Sequence, residues 1–160
     1  MTDFASPHEV ANPAFLGDWD LLCDDREAGR LRACVSGQLS RLRLVRLTDD
    51  LSVVAGELAA NAIRYGGGPV RATLLLTPSR DAGAGLRLEV DDAGPGFDVD
   101  RVVATWEDAE AMYERCSGRG LLIVSQLCRA WGSEWRGSRH VVWAEVGLEP
   151  EAADEGASLC

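Results

Sequence analysis

Residues 48–68 read TDDLSVVAGELAANAIRYGGG, and no other stretch limits the possible folds as tightly. Leu51, Val54, Ala55, Leu58 and Ala62 recur at helical spacing and line one side. Thr48 is the candidate N-cap. Asp49 and Asp50 suit the positive end of the helix dipole, and the glycines at 66–68 stop the helix. A second stripe on this helix is polar. Glu57, Asn61 and Arg64 stand at i, i+4 and i+7, about 100° around from the apolar stripe. Spacing alone is explained by a solvated face of a core helix. The residue types suggest more. An Asn amide oxygen can ligate a hard cation such as Mg²⁺. A Glu one turn earlier can orient or deprotonate a hydroxyl or water. An Arg one turn later can contact phosphate oxygens.

Around this helix the pattern is α+β. Residues 1–17 read as an N-terminal arm, and DWDLLC (18–23) as a first strand. Asp24 or Asp25 caps a helix whose Leu31, Cys34, Val35, Leu39 and Leu42 share one face. VRATLLLTP and LRLEVDDAG flank a Gly-containing turn and predict a β-hairpin. Residues 97–117 read as irregular and acidic, and 118–132 as a Gly-led apolar helix. SEWRG and HVVWAEV read as a closing strand pair, and 149–160 as an acidic disordered tail. Strands do not alternate regularly with helices. The expected architecture is therefore a two-layer α/β sandwich, a mixed sheet with helices on one face, over a single domain at 18–148.

Two more segments carry candidate chemistry. VDDAGPGF (90–97) ends a strand in two carboxylates and a Gly-Pro-Gly turn. Gly94 and Gly96 let backbone approach a ligand closely, and a carboxylate there can accept a hydrogen bond from an exocyclic amine such as adenine's. SGRGLLIV (117–124) sets Gly118, Arg119 and Gly120 at a helix start, where N–H groups and the dipole favour phosphate. Each segment alone is also an ordinary turn or helix start. The order ExxxN, DxGxG, GxG is far more specific.

In that order the chain resembles the Bergerat-fold (GHKL) ATP-binding domains of gyrase B, MutL and sensor histidine kinases. ELAANAIRYG resembles the N box, DDAGPGF the first glycine box and GRGLLIV the second. The compact size, GRGL and the trailing VVWAEV are most similar to the anti-sigma-factor serine kinases and their actinobacterial relatives, over about residues 20–148. The resemblance implies a mostly antiparallel sheet, and ATP and Mg²⁺ as cofactors. Asn61 becomes the metal ligand, Glu57 the general base and Asp92 the adenine-amine acceptor. Gly94 and Gly96 shape the base pocket, and Gly118 and Gly120 lie against the phosphates. Arg64 and Arg119 are phosphate contacts, and Tyr65 is a candidate purine contact. It also implies a sigma factor and a small antagonist protein as partners, and a homodimer.

The match departs from the family at three places. A Thr often precedes VW in the closing strand and supports the adenine-binding Asp. Val141 stands there, and the lost hydrogen bond is worth about 0.5–1.5 kcal/mol. The segment between the glycine boxes holds Glu107, Asp108, Glu110 and Glu114, unfavourable beside a triphosphate. These 160 residues show no phospho-accepting His segment, so the expected substrate is another protein. Three readings follow: a protein serine kinase and anti-sigma factor, a nucleotide-responsive binding module, or a nucleotide-free scaffold.

Composition excludes other classes. The chain has 160 residues and a formal net charge of −10, which argues against nucleic acid as a partner. No apolar run reaches membrane-spanning length, and MTDFASPHEV lacks the basic and apolar regions of a signal peptide, so a cytoplasmic location is expected. Five cysteines, an odd number without CxxC spacing, read as reduced thiols, Cys34 and Cys128 as small core residues. His8 and His140 are isolated in the sequence and are assigned no role.

Overall fold

A computed structural model describes residues 12–78, 83–106 and 119–148. The chain runs β1 (Ala14–Leu21), α1 (Arg26–Arg41), a 3₁₀ turn (Val45–Leu47), α2 (Thr48–Tyr65), β2 (Val70–Thr77) and β3 (Gly85–Asp92). Then follow α3 (Val99–Trp106), α4 (Arg119–Leu127), β4 (Ala130–Arg136) and β5 (Arg139–Gly147). The sheet order is β1-β2-β3-β5-β4, and each neighbouring pair is antiparallel. The α+β sandwich is as expected. The described sheet is antiparallel throughout rather than mixed, because two hairpins supply four of the strands and β5 returns beside β3 in the opposite sense.

Alternation divides the sheet into two different faces. On the helix side Ala72, Leu74, Leu86, Leu88, Val90, Ala144 and Val146 are buried and meet Leu51, Val54, Leu58 and Ala62 of α2. Helix α2 is the central one, packed against α1 and α4 and across the sheet. Helix α1 contributes Leu31, Val35 and Leu39, at successive i+4 steps. The opposite sheet face carries ion pairs: Arg71 with Asp18 and Asp20, Arg87 and Arg136 with Glu89, and Arg139 with Asp91. There the Arg87 guanidinium lies 4.0 Å from the Trp143 ring centroid. Charges stitched across strands suit a face that no described helix covers.

Several boundaries differ from expectation. Strand β1 begins at Ala14, not at residue 18, because Ala14 already pairs with Leu76 of β2. Asp24 does serve the start of α1, accepting the Arg26 N–H at 2.8 Å. Thr48 does not cap α2. The 3₁₀ turn feeds helical geometry straight into the helix, so the chain never takes the extended conformation an N-cap needs, and Thr48 Oγ1 is buried without a partner among the described residues. Part of 97–117 is not irregular but α3. Asp98 begins it, its Oδ1 accepting the N–H groups of Asp100 and Arg101. Helix α4 ends at Leu127, and Ala130 and Trp131 belong to β4 instead. Residues 1–11, the acidic stretch from Glu107 to Glu114, Cys116, Gly118 and 149–160 lie outside the described residues.

Among the described residues Cys23, Cys34 and Cys128 are free thiols. Cys34 and Cys128 are partly buried, and burial pushes the Cys128 thiol up to about 12, which leaves it protonated and inert. No described helix is long and apolar enough to cross a membrane.

Candidate functional site

A cavity of about 440 Å³ opens between α2, α3 and the ends of β3 and β5, within the size range of small-molecule sites. Its wall includes Asn61 and Tyr65 from α2, Asp92 from β3, and Gly96, Phe97 and Asp98 from the loop after β3. Arg101, Val102 and Thr105 come from α3, Leu121 from α4, and His140 and Val142 from β5. Every one of the three motifs borders this one place.

Its base is built from two interlocked glycine loops. Helix α2 ends when Gly66 turns extended, its N–H donating to the Ala62 carbonyl at 3.0 Å. The Ala93 N–H then donates to the Gly67 carbonyl at 2.6 Å, tying the loop after α2 to the loop after β3. A Cβ on Gly94 would fall 2.6 Å from Gly66 Cα, so glycine is required by backbone against backbone. Gly96 has φ +67° and packs under His140 and Trp135, where a Cβ would meet their rings at 2.8 and 2.9 Å. From the outer face Arg139 clasps the same region, Nε donating to Asp91 Oδ1 at 2.6 Å and Nη2 to the Pro69 carbonyl at 2.6 Å.

Asp92 is 3% exposed at the end of β3. Its Oδ1 accepts the Gly94 N–H at 2.7 Å, which orients the carboxylate and leaves Oδ2 free of protein N–H donors among the described residues. Asn61 and Glu57 lie one turn apart on α2, both half-buried. Gly120, in the first turn of α4, sits directly over them. A Cβ there would come 2.5 Å from Glu57 Oε2 and 3.6 Å from Asn61 Nδ2.

Of the residues singled out in the sequence, Asn61, Tyr65, Asp92 and Gly96 line the cavity, Gly94 supports its base, and Glu57 and Gly120 meet each other beside Asn61 without lining it. Arg64 is exposed outside the wall, its guanidinium 5.9 Å from the Tyr65 ring centroid. Arg119 is exposed at the first position of α4. Gly118 lies outside the described residues.

Val141, the position expected to support Asp92, is not its neighbour on the closing strand. Register pairs Asp92 with His140 and Asp91 with Val141. Val141 therefore faces away from the cavity, and its lack of a hydroxyl removes nothing from the site. His140 is the neighbour of Asp92. It is 2% exposed, its Nδ1 lies 3.9 Å from Asp92 Oδ2, and its Nε2 has no partner among the described residues. Phe97 meets its ring edge-on at 5.1 Å between centroids, and Trp135 lies tilted against it at 5.3 Å. Phe97, Arg101 and Val102 were also missed. The signal that could have found them was Asp98 standing as a cap before VDRVVATW.

The donor set suits a nucleotide with a hard cation. Asn61 offers a neutral oxygen donor with a carboxylate one turn away, and the glycine surface of α4 stands where any larger residue would fill the space. No group of three or more His, Cys, Asp or Glu side chains among the described residues forms a self-sufficient metal site. The cation would thus share its ligands with the phosphates and water.

Residues 26–146 match the family described as histidine kinase-like ATPase domain. Among solved structures, the full-length ShkA crystal structure in complex with AMPPNP is similar at 30% identity and a TM-score of 0.41. The alignment covers 62% of this chain and 21% of that one, so the chain spans about a fifth of its length. No curated protein matches the chain.

Proposed function

The chain belongs to the histidine kinase-like ATPase domain family, and from that premise we propose that it is an ATP-binding regulator acting as a protein serine kinase and anti-sigma factor. The observation that carries the ATP-binding part is the convergence of Asn61, Asp92 and Leu121, from three separate segments, around one cavity, with Gly120 next to Leu121 and packed against Glu57 and Asn61.

In this reading the base enters beside Asp92, whose free Oδ2 accepts an amine hydrogen, with Tyr65 and Phe97 as the aromatic walls. The phosphates extend toward the start of α4, where its N-terminal N–H groups and dipole favour negative charge. Asn61 would hold Mg²⁺, which when bound neutralises charge on the transferred phosphoryl group. Glu57 orients the incoming serine hydroxyl and accepts its proton. A sigma factor and a small antagonist protein are the proposed partners, and a homodimer the proposed assembly.

A second reading, a nucleotide-responsive binding module without phosphoryl transfer, has one observation in its favour. Glu57 lies against Gly120 and does not line the cavity, whereas Asn61 does.

Titration calorimetry with MgATP tests the pocket. Saturable binding by the wild type, abolished in Asn61→Ala and Asp92→Ala, is the expected result. No wild-type binding at millimolar nucleotide would leave a protein-binding scaffold. Serine phosphorylation of an antagonist protein, lost in Glu57→Ala while MgATP binding persists, separates the kinase from the module.

A further inference from the structure

We propose that His140 is a base-reading residue: its Nδ1–H donates to the ring nitrogen next to an exocyclic amine, while Asp92 Oδ2 accepts from that amine. This deepens the adenine-nucleotide reading above and rests on it.

Asp92 Oδ1 is committed to the Gly94 N–H, which leaves Oδ2 as the acceptor. His140 Nδ1 stands 3.9 Å from Oδ2, beyond direct hydrogen-bond distance. The two polar atoms therefore lie side by side at the cavity without consuming each other. An amidine edge, with an N–H donor beside a ring-nitrogen acceptor, complements such an acceptor–donor pair, and adenine carries one. Guanine presents a carbonyl and a ring N–H at the same positions and would meet like against like.

The tautomer follows from burial. A neutral imidazole has one N–H and one bare nitrogen. Nε2 is buried without a partner among the described residues. An orphaned N–H is rarer in protein interiors than an orphaned acceptor, so the proton belongs on Nδ1, toward Asp92. The ring is held in that orientation. Phe97 and Trp135 flank it, and Gly96 lies so close that a Cβ there would touch Cδ2 at 2.8 Å. At 2% and 3% exposure, neither His140 nor Asp92 readily replaces a lost base contact with bulk water.

The test is titration calorimetry of the full chain in Mg²⁺ buffer with ADP and with 1-deaza-ADP, in which the ring nitrogen N1 is a C–H. Wild type should lose about two- to twelvefold in affinity on going to 1-deaza-ADP, the range of one net hydrogen bond. His140→Phe keeps the aromatic packing. It should lose a similar factor for ADP and show no further loss with 1-deaza-ADP. His140→Asn offers an amide N–H near the place of Nδ1 and should regain the discrimination. The chain has two histidines, so the His140 imidazole signals in long-range ¹H–¹⁵N spectra are those missing from His140→Asn. They should report an Nδ1–H tautomer whose nitrogen shift moves on ADP addition. A His140→Phe protein that still separates the two nucleotides, or an Nε2–H tautomer, would overturn the inference. So would a wild type that binds both equally, and all three leave nucleotide binding itself intact. A wild type that fails to bind ADP at millimolar concentration removes the nucleotide reading and this inference with it.

Discussion

Gly94 and Gly120 both exclude side chains from the site, for opposite physical reasons. A Cβ on Gly94 would strike Gly66 Cα at 2.6 Å and its carbonyl carbon at 2.8 Å, atoms of a tied-down backbone. A Cβ on Gly120 would strike Glu57 Oε2, the tip of a flexible side chain. Gly94→Ala should therefore cost about 1–3 kcal/mol of stability in urea unfolding, the usual range for overpacking. Gly120→Ala should unfold at nearly the wild-type denaturant concentration, yet lose MgATP affinity because its methyl fills space at the α4 start beside Asn61, and lose any phosphoryl transfer because Glu57 is displaced. Equal destabilisation of the two variants would show that the α4 start is as rigid as the glycine loops. At this scale the sequence was legible where a motif is local. Asp92 and its glycines are two and four residues apart, and Asn61 follows Glu57 by one helical turn. His140 was not legible, because its partner Asp92 lies 48 residues earlier and only strand register joins them. The same register moves Val141 to the other face, so a residue judged by its place in a string was judged on the wrong side of a sheet.

Strands β3, β4 and β5 hold one carboxylate under unusual demand. Glu89 is 7% exposed, on the ion-paired face. Burial pushes its carboxyl up, but hydrogen bonds and charge from Arg136 and Arg87 outweigh that and hold it below the ordinary carboxylate range. A depressed folded value means that the stabilisation is complete above the unfolded carboxylate's range, about pH 4.3. It is lost as pH falls through the lower folded value. Glu89→Gln should lower the melting temperature at pH 7 and flatten its acid-side decline below about pH 4, as followed by circular dichroism. A parallel loss at pH 7 and at pH 3 would show that the pair contributes packing rather than charge. Elements of strong periodicity, α1, α2 and both hairpins, were readable in advance. Helix α3 was masked by its acidic setting, although Asp98 announced it. The end of α4 was overrun because Trp131 continues an apolar run whose backbone pairs with β5 instead.

Across the whole molecule, helices on one side of the sheet enclose both the core and the cavity, so ligand binding and folding draw on the same contacts. Asp92 continues the strand that carries Leu86, Leu88 and Val90, and Asn61 continues the helix that carries Leu51 and Leu58. At one hundred times the dissociation constant, MgATP should add about 2.7 kcal/mol to the folded state. For a chain of this length that is roughly a 5–10 °C rise in melting temperature. Scanning calorimetry of wild type and Asp92→Asn checks it, and the variant should show no rise. Trp135 gives the same event an optical side. It is 55% exposed, on the edge strand, and its indole stands 5.3 Å from an imidazole at the cavity floor. An excited indole is sensitive to the donor and acceptor state of a neighbouring imidazole, so an occupant that engages His140 should change the emission of this tryptophan, one of five in the chain. The protein carries a fluorophore at the threshold of its own pocket, and occupancy can be read without attaching a dye.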